Sequence, residues 1–178
     1  MKYNHYYFPF LFNQLTPTDI QLSEKEQLQM QSGNIYMFPE NLSNALALIQ
    51  HAVSAENKDN AYYTYLAELA PNEEEKQIII GIRNNEINHF NMFMQIYRDI
   101  TGAKVLKPQD DQLVPPPTYC EGLKSAILGE QNAVQEYRQI FFAMQTRMHI
   151  NMLTEIITDE IRHGILYNYL YAKNGCNV

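Results

Sequence analysis

The sequence predicts an all-α protein, a four-helix bundle built from two helical hairpins joined by a long crossover. Three observations carry that prediction. Four stretches, at 40–70, 73–100, 119–145 and 149–173, place apolar residues at helical spacing and are free of internal proline. A proline-rich break at 101–118 separates the second stretch from the third. The third observation is a repeat: Glu-Ile-x-His occurs at Glu86–His89 and again at Glu160–His163, at equivalent points of the two hairpins.

Residues 1–39 read as an aromatic-rich N-terminal arm, with Tyr3, Tyr6, Tyr7, Phe8, Phe10 and Phe12 at its start. A short helix is expected within it, because Ser23 and Glu26 form a capping box and Gly33 suits a C-terminal stop. The bundle itself is expected over 40–175. Its first helix ends at Pro71, its second at Thr101-Gly102 and its fourth at Asn174-Gly175. The turn between the third and fourth helices is placed at 145–149, a stretch without glycine or proline. A 28-residue helix is roughly 42 Å long, and the linker 101–118 reaches at most about 60 Å. The linker can therefore run the full length of the bundle, stiffened by Pro115-Pro116-Pro117.

The apolar seams contain the polar residues that matter. In the second helix Ile79, Ile82, Glu86, His89, Phe93, Ile96 and Ile100 follow a heptad spacing. In the fourth, Leu153, Ile156, Glu160, His163, Tyr167 and Leu170 follow the same spacing. The first helix offers Ile49, Ala52, Glu56, Asp59, Tyr63 and Leu66, and the third Leu123, Ala126, Glu130, Ala133, Tyr137 and Ile140. A shift of 74 residues maps Glu56, Tyr63, Glu86 and His89 onto Glu130, Tyr137, Glu160 and His163. Glu56 and Glu86 are equidistant from Pro71, so they face each other at one height of the hairpin. All six carboxylates and imidazoles are thus expected in one layer of the core.

A single Glu-x-x-His in such a seam is readily an ordinary hydrogen-bonded interior pair. Four carboxylates in one dry layer are harder to explain that way, since each would cost several kcal/mol in desolvation and repel the others. No lysine or arginine stands in the seams near that level. Two divalent cations would balance four carboxylates and leave two neutral imidazoles, which favours a dinuclear metal site.

The remaining features exclude other classes. A net charge of −7 with scattered Lys and Arg argues against nucleic acid and against an anionic membrane surface. No window approaches the ~20 apolar residues of a membrane span, and Pro9 interrupts the apolar N-terminus, so a soluble cytoplasmic protein without a signal peptide is expected. Cys120 and Cys176 make no C-x-x-C and are expected to be unpaired. Asp159 and Asn85, each just before the glutamate of its pair, can be read as partners of the ligands or, more commonly for such positions, as surface residues of a helix edge, and His5, His51 and His149 as ordinary histidines. The methionines at 92, 94, 144, 148 and 152 read as packing residues.

Over about residues 45–172 these motifs resemble the ferritin-like di-iron carboxylate proteins, most closely the rubrerythrin family. The same ligand set characterises ferritin-like di-iron and di-manganese bundles generally. The resemblance implies two iron ions, with Glu86 and Glu160 bridging them. Glu56 and His89 would complete one ion, and Glu130 and His163 the other. Tyr63 and Tyr137 would hold carboxylates from just outside the ligands. It implies a non-haem oxidoreductase of the oxidative-stress type, reducing hydrogen peroxide or dioxygen with Fe(II) oxidation at the dinuclear site. The chain departs from the family in two respects. The extra glutamate of the third helix is replaced by Ala133, while Asp59 stands three residues after Glu56 as a seventh candidate ligand. The four-cysteine iron module is missing, so an external electron donor is required. A di-manganese catalase with two manganese ions, a ferritin-like iron binding or storage protein, and a purely structural bundle are the alternatives. The aromatic arm suggests a homodimer.

Overall fold

A computed structural model describes residues 34–105 and 114–176. The expected short helix and its capping box at Ser23–Glu26 lie outside the described residues, as does Gly33. Among the described residues there are four helices: α1 (Leu42–Glu68), α2 (Glu73–Thr101), α3 (Tyr119–Phe141) and α4 (Arg147–Lys173). Three begin at a side-chain cap. Asn72, Thr118 and Thr146 accept hydrogen bonds from the backbone N–H groups of Glu75, Glu121 and His149. Glu73, Glu74 and Glu75 add negative charge where the α2 dipole favours it. Gly102, in the left-handed conformation, stops α2.

The second turn differs from its expected position. α3 ends at Phe141 and α4 starts at Arg147, so the connection is 142–146 rather than 145–149. The cause is Thr146, whose hydroxyl caps α4 without help from glycine or proline.

α1 packs on α2 and on α3, and α4 packs on α3 and on α2. Two apolar clusters fill the two ends of the bundle. One joins the start of α1 (Ile49, Ala52, Val53) to the end of α2 (Phe93, Ile96), the end of α3 (Ile140) and the start of α4 (Leu153, Ile156). The other joins Tyr63 and Leu66 of α1 to Ile79 and Ile82 of α2, Leu123 and Ala126 of α3, and Tyr167 and Leu170 of α4. The end of α2 and the start of α3 thus lie at opposite ends of the bundle, a separation that the linker length allows. Every packed pair is antiparallel. Gly122 permits the close approach of α3 at the crossover end, since a Cβ there would collide with Leu66 and with Pro116. Among the described residues no helix is long and apolar enough to cross a membrane.

The cysteines correct the sequence reading. Cys120 and Cys176 form a disulfide, with Cα atoms 5.6 Å apart. Cys120 sits in the first turn of α3, and the chain after α4 folds back to meet it. Gly175 adopts φ 61°, its N–H bonds Ala172 O, and the N–H of Cys176 bonds Tyr171 O. That is a Schellman closure, which turns Cys176 onto the end of its own helix. The pairing was illegible because it depends on where two helix ends meet, not on sequence spacing.

A buried carboxylate locks the same end. Glu75 is 1% exposed and accepts hydrogen bonds from Asn174 Nδ2 at 2.7 Å, Asn72 Nδ2 at 3.0 Å and Tyr119 Oη at 3.0 Å. Burial raises its pKa, but those three donors and the charge of Lys173 outweigh it and hold the carboxyl below 4.5. A depressed carboxyl contributes stability that is present above the unfolded value and lost as pH falls through the folded one. Glu75→Ala is therefore expected to cost about 1–2 kcal/mol by removing the acceptor that three part-buried donors share. Glu75→Gln should remove the loss of stability at acid pH that this group causes. Thermal melts of the three proteins between pH 3 and 7 check both statements.

Candidate metal centre

Between the two apolar clusters lies one polar layer. Glu56, Glu86, His89, Glu130, Glu160 and His163 are each 2% exposed or less. The helices deliver them as the seams require: one carboxylate each from α1 and α3, and a Glu-x-x-His pair each from α2 and α4. Their ligand atoms form two overlapping groups, Glu56–Glu86–His89–Glu160 and Glu86–Glu130–Glu160–His163, each with its four atoms within 4.8 Å of one another. Glu86 and Glu160 belong to both groups. The two imidazoles stack with ring centres 5.8 Å apart.

Direct pairing does not satisfy this layer. His89 Nδ1 lies 2.9 Å from Glu86 Oε2 and 3.0 Å from Glu160 Oε1, and His163 Nδ1 lies 2.9 Å from Glu86 Oε1. Only the first of these contacts has hydrogen-bond geometry; Glu86 Oε1, Glu160 Oε1 and both ring nitrogens of His163 remain without a hydrogen bond. Short approaches without aligned protons are what lone pairs converging on common points produce. A buried N/O donor set of this composition suits divalent iron, manganese or zinc and needs positive charge.

Without a cation the layer is electrostatically frustrated. Burial, with the charges of Glu86 and Glu160, pushes Glu56 well above 4.5. Burial, with Glu130 and Glu86 close by, pushes Glu160 up likewise. Burial opposes charge on Glu86 too, but the close approach and charge of His163 and His89 prevail and bring it to about 2. Burial lowers the imidazoles, and the surrounding carboxylates overcome it, raising His89 to about 9 and His163 to about 11.

The tyrosines cross between hairpins. Tyr63 Oη of the first hairpin donates to Glu130 Oε1 of the second at 2.6 Å, and Tyr137 Oη of the second donates to Glu56 Oε1 of the first at 2.7 Å. Each occupies one oxygen of a lone carboxylate and leaves the other for the centre. Asp59 is not brought into either four-residue group. It is half-buried and lines a cavity of about 170 Å³ with Glu56, Tyr63, Glu130, Tyr137 and Glu160. Desolvation and the charges of Glu130 and Glu86 raise its pKa well above 3.8. Ala55, Gly129 and Ala133 give that cavity its room, and the His51–Glu136 pair, 2.7 Å apart, stands at its rim.

Of the two sequence readings of Asp159, the structure favours the ligand partner over the helix-edge residue: it approaches His89 Nε2 at 3.3 Å. Arg162 and Asn85 hold it in turn, at 2.8 and 3.2 Å. Its repeat mate is Asn85, which turns toward Asp159 and Arg162, so His163 Nε2 gains no matching partner. The departure of Asn85 from Asp159 at equivalent positions was the available signal. A carboxylate behind a ligating imidazole fixes its ring and raises its basicity. Asp159→Asn is accordingly expected to weaken one of two metal-binding steps by about 10–100-fold and spare the other, as titration calorimetry would resolve. His149, also expected to be ordinary, is buried against Asp99 at 3.2 Å, away from this layer.

The sequence model of the rubrerythrin family matches residues 47–171 of this chain. Among curated proteins, the uncharacterized protein YhjR of Bacillus subtilis (strain 168) is 29% identical over 121 residues, which cover 68% of this chain and 82% of that protein.

Proposed function

From the premise that this chain belongs to the rubrerythrin family, we propose that its buried centre holds two iron ions and reduces hydrogen peroxide or dioxygen. The observation that carries the reading is the pair of overlapping carboxylate–imidazole groups sharing Glu86 and Glu160. Those two residues would bridge, Glu56 with His89 would complete one ion, and Glu130 with His163 the other. Bound iron supplies reversible one-electron chemistry at two adjacent points.

The chain's own residues do the rest. Tyr63 and Tyr137 hold Glu130 and Glu56 in place by single hydrogen bonds. The cavity between α1 and α3 admits a molecule the size of peroxide to the layer's edge. Asp59 lines its wall, and its raised pKa lets a carboxyl oxygen carry a proton there that reduction to water consumes. An external electron donor, a cytoplasmic setting and a homodimeric assembly complete the proposal.

The test is iron content after anaerobic Fe(II) loading, followed by peroxide addition with and without a reductant. About two iron per chain, and peroxide consumption only with reductant, support the reading. Oxygen release from peroxide without reductant, on a manganese-loaded protein, would replace it with a catalase. No bound metal would overturn it.

A further inference from the structure

The repeat of the two hairpins is broken at one spot between α1 and α3. His51 of α1 and Glu136 of α3 lie 2.7 Å apart there, Nδ1 to Oε1. The shift of 74 residues maps His51 onto Ser125 and Tyr62 onto Glu136. Tyr62 and Ser125 stand together at the wall of another cavity, and neither brings a charge there. The contact between α1 and α3 therefore does not itself require an imidazole and a carboxylate. Stability does not require them either: the two side chains are 67% and 24% exposed, and an exposed pair of this kind adds little.

The pair stands instead where a cation would enter. It borders the cavity whose inner wall holds Glu56, Glu130 and Glu160. His51 precedes Glu56 by five residues and Glu136 follows Glu130 by six, so the mouth is about 8 Å from the ligand level along either helix. Asp59 adds another carboxyl to the wall, and neither lysine nor arginine is among the lining residues. A cleft lined by carboxyl groups concentrates cations and speeds their entry. At its inner end Glu160, 2% exposed, keeps one oxygen without a hydrogen bond.

The donors at the mouth are of the same kinds as those of the centre, an imidazole nitrogen and a carboxylate oxygen. Two such donors on adjacent corners of one coordination sphere sit about 3 Å apart, close to the separation of His51 and Glu136. Two protein ligands completed by water make a weak site, which releases what it captures. The other cavity that reaches Glu56, between α1 and α2, is lined otherwise by Asn57, Asn60, Asn91, Ile87 and Phe90, none of them charged.

We propose that His51 and Glu136 form an entry site for a divalent transition metal at the mouth of the α1–α3 cavity, from which the ion passes along the wall to the buried centre. This rests on the dinuclear-metal part of the reading above and deepens it by assigning the route of loading.

The test follows metal arrival, not turnover. Metal-free protein is mixed with Co(II), and stopped-flow absorbance records the filling of the nitrogen and oxygen centre; an excess of chelator then gives the rate of release. Glu136→Gln and His51→Gln should each slow both uptake and release about tenfold. They should leave the dissociation constant nearly unchanged, since a site on the path belongs to neither end state. Gly129→Leu should slow both rates as well, by filling the same cavity from a position where a Cβ meets nothing. Asn57→Leu, in the other cavity, should change neither. These variants keep the fold, as circular dichroism would verify. Unchanged rates in Glu136→Gln and His51→Gln would overturn the inference, as would slowing by Asn57→Leu alone. Weakened binding at an unchanged uptake rate would overturn it too, by placing the pair in the support of the centre rather than on the path. Wild-type protein that takes up no Co(II) would overturn both this inference and the metal centre. The expected slowing, in a protein that leaves peroxide untouched when loaded with iron, would support the entry site and overturn only the reaction proposed above.

Discussion

Glu86→Gln/Glu160→Gln is expected to abolish metal loading while leaving a protein that still folds without metal. The two carboxylates belong to both groups of converging ligand atoms, so their removal takes charge from both metal positions at once. Four carboxylates and two histidines then become two carboxylates, two amides and two histidines, too little negative charge to hold two divalent cations in a dry core. In the metal-free layer the two exchanges act oppositely: at Glu86 the attraction to both imidazoles is lost, and at Glu160 a buried charge is relieved. Burial and mutual repulsion already force Glu160 well above its ordinary value, and an amide of equal volume carries no charge to desolvate. Iron content should fall from about two per chain to none. The melting temperature of the variant should lie well below that of the loaded wild type and should not respond to added iron. A variant that bound iron normally would remove the centre from this layer.

Metal removal should have a large effect of its own, and one that grows with pH. A metal present at a thousand times its dissociation constant stabilises the fold by about 4 kcal/mol, or about 10 °C for a chain of this size. In the metal-free protein His89 is raised from 6.5 to about 9 and His163 to about 11, chiefly by Glu86 and the other carboxylates against the opposing effect of burial. Glu56 and Glu160 are also raised, first by burial. A raised group contributes stability that is complete below its unfolded value and lost as pH climbs through its folded value. Glu86 runs the other way: its value near 2 contributes above 4.5 and is lost in acid. Its attraction to the imidazoles is the same interaction and is counted once. The stripped protein should therefore lose stability from about neutral pH upward. The loaded protein should not, because cations replace the protons and bind more tightly as the imidazoles are freed of them. Calorimetric melts of both forms across pH 6.5 to 9 should show the gap widening; a constant or narrowing gap would contradict this electrostatic account.

The sequence by itself determined the four helices, the two-hairpin plan and the six-residue polar layer. Each follows from local periodicity. A helix repeats its faces every few residues, so Glu86, His89, Glu160 and His163 could be assigned to the buried stripe without knowing what they faced. The repeat supplied the level, because equal distances from a turn put residues at equal heights. The crossover followed from length alone.

Tertiary structure decided what depends on two segments meeting. The Cys120–Cys176 disulfide needs the chain after α4 to curl back onto the start of α3, and the relevant signal, Gly175, says only that a helix stops. Asp159 reaches His89 on another helix, and no spacing within α4 reveals that neighbour. The tyrosines fell at symmetric positions in the sequence, but only packing shows that each bonds the glutamate of the opposite hairpin. Asp59 shared the seam with Glu56, yet a small rotation along the helix leaves it on the cavity wall, outside both ligand groups. Periodicity tells which face a residue occupies; which partner it meets is set by how the helices are rotated and crossed, and those few degrees are fixed by the packing of the whole bundle.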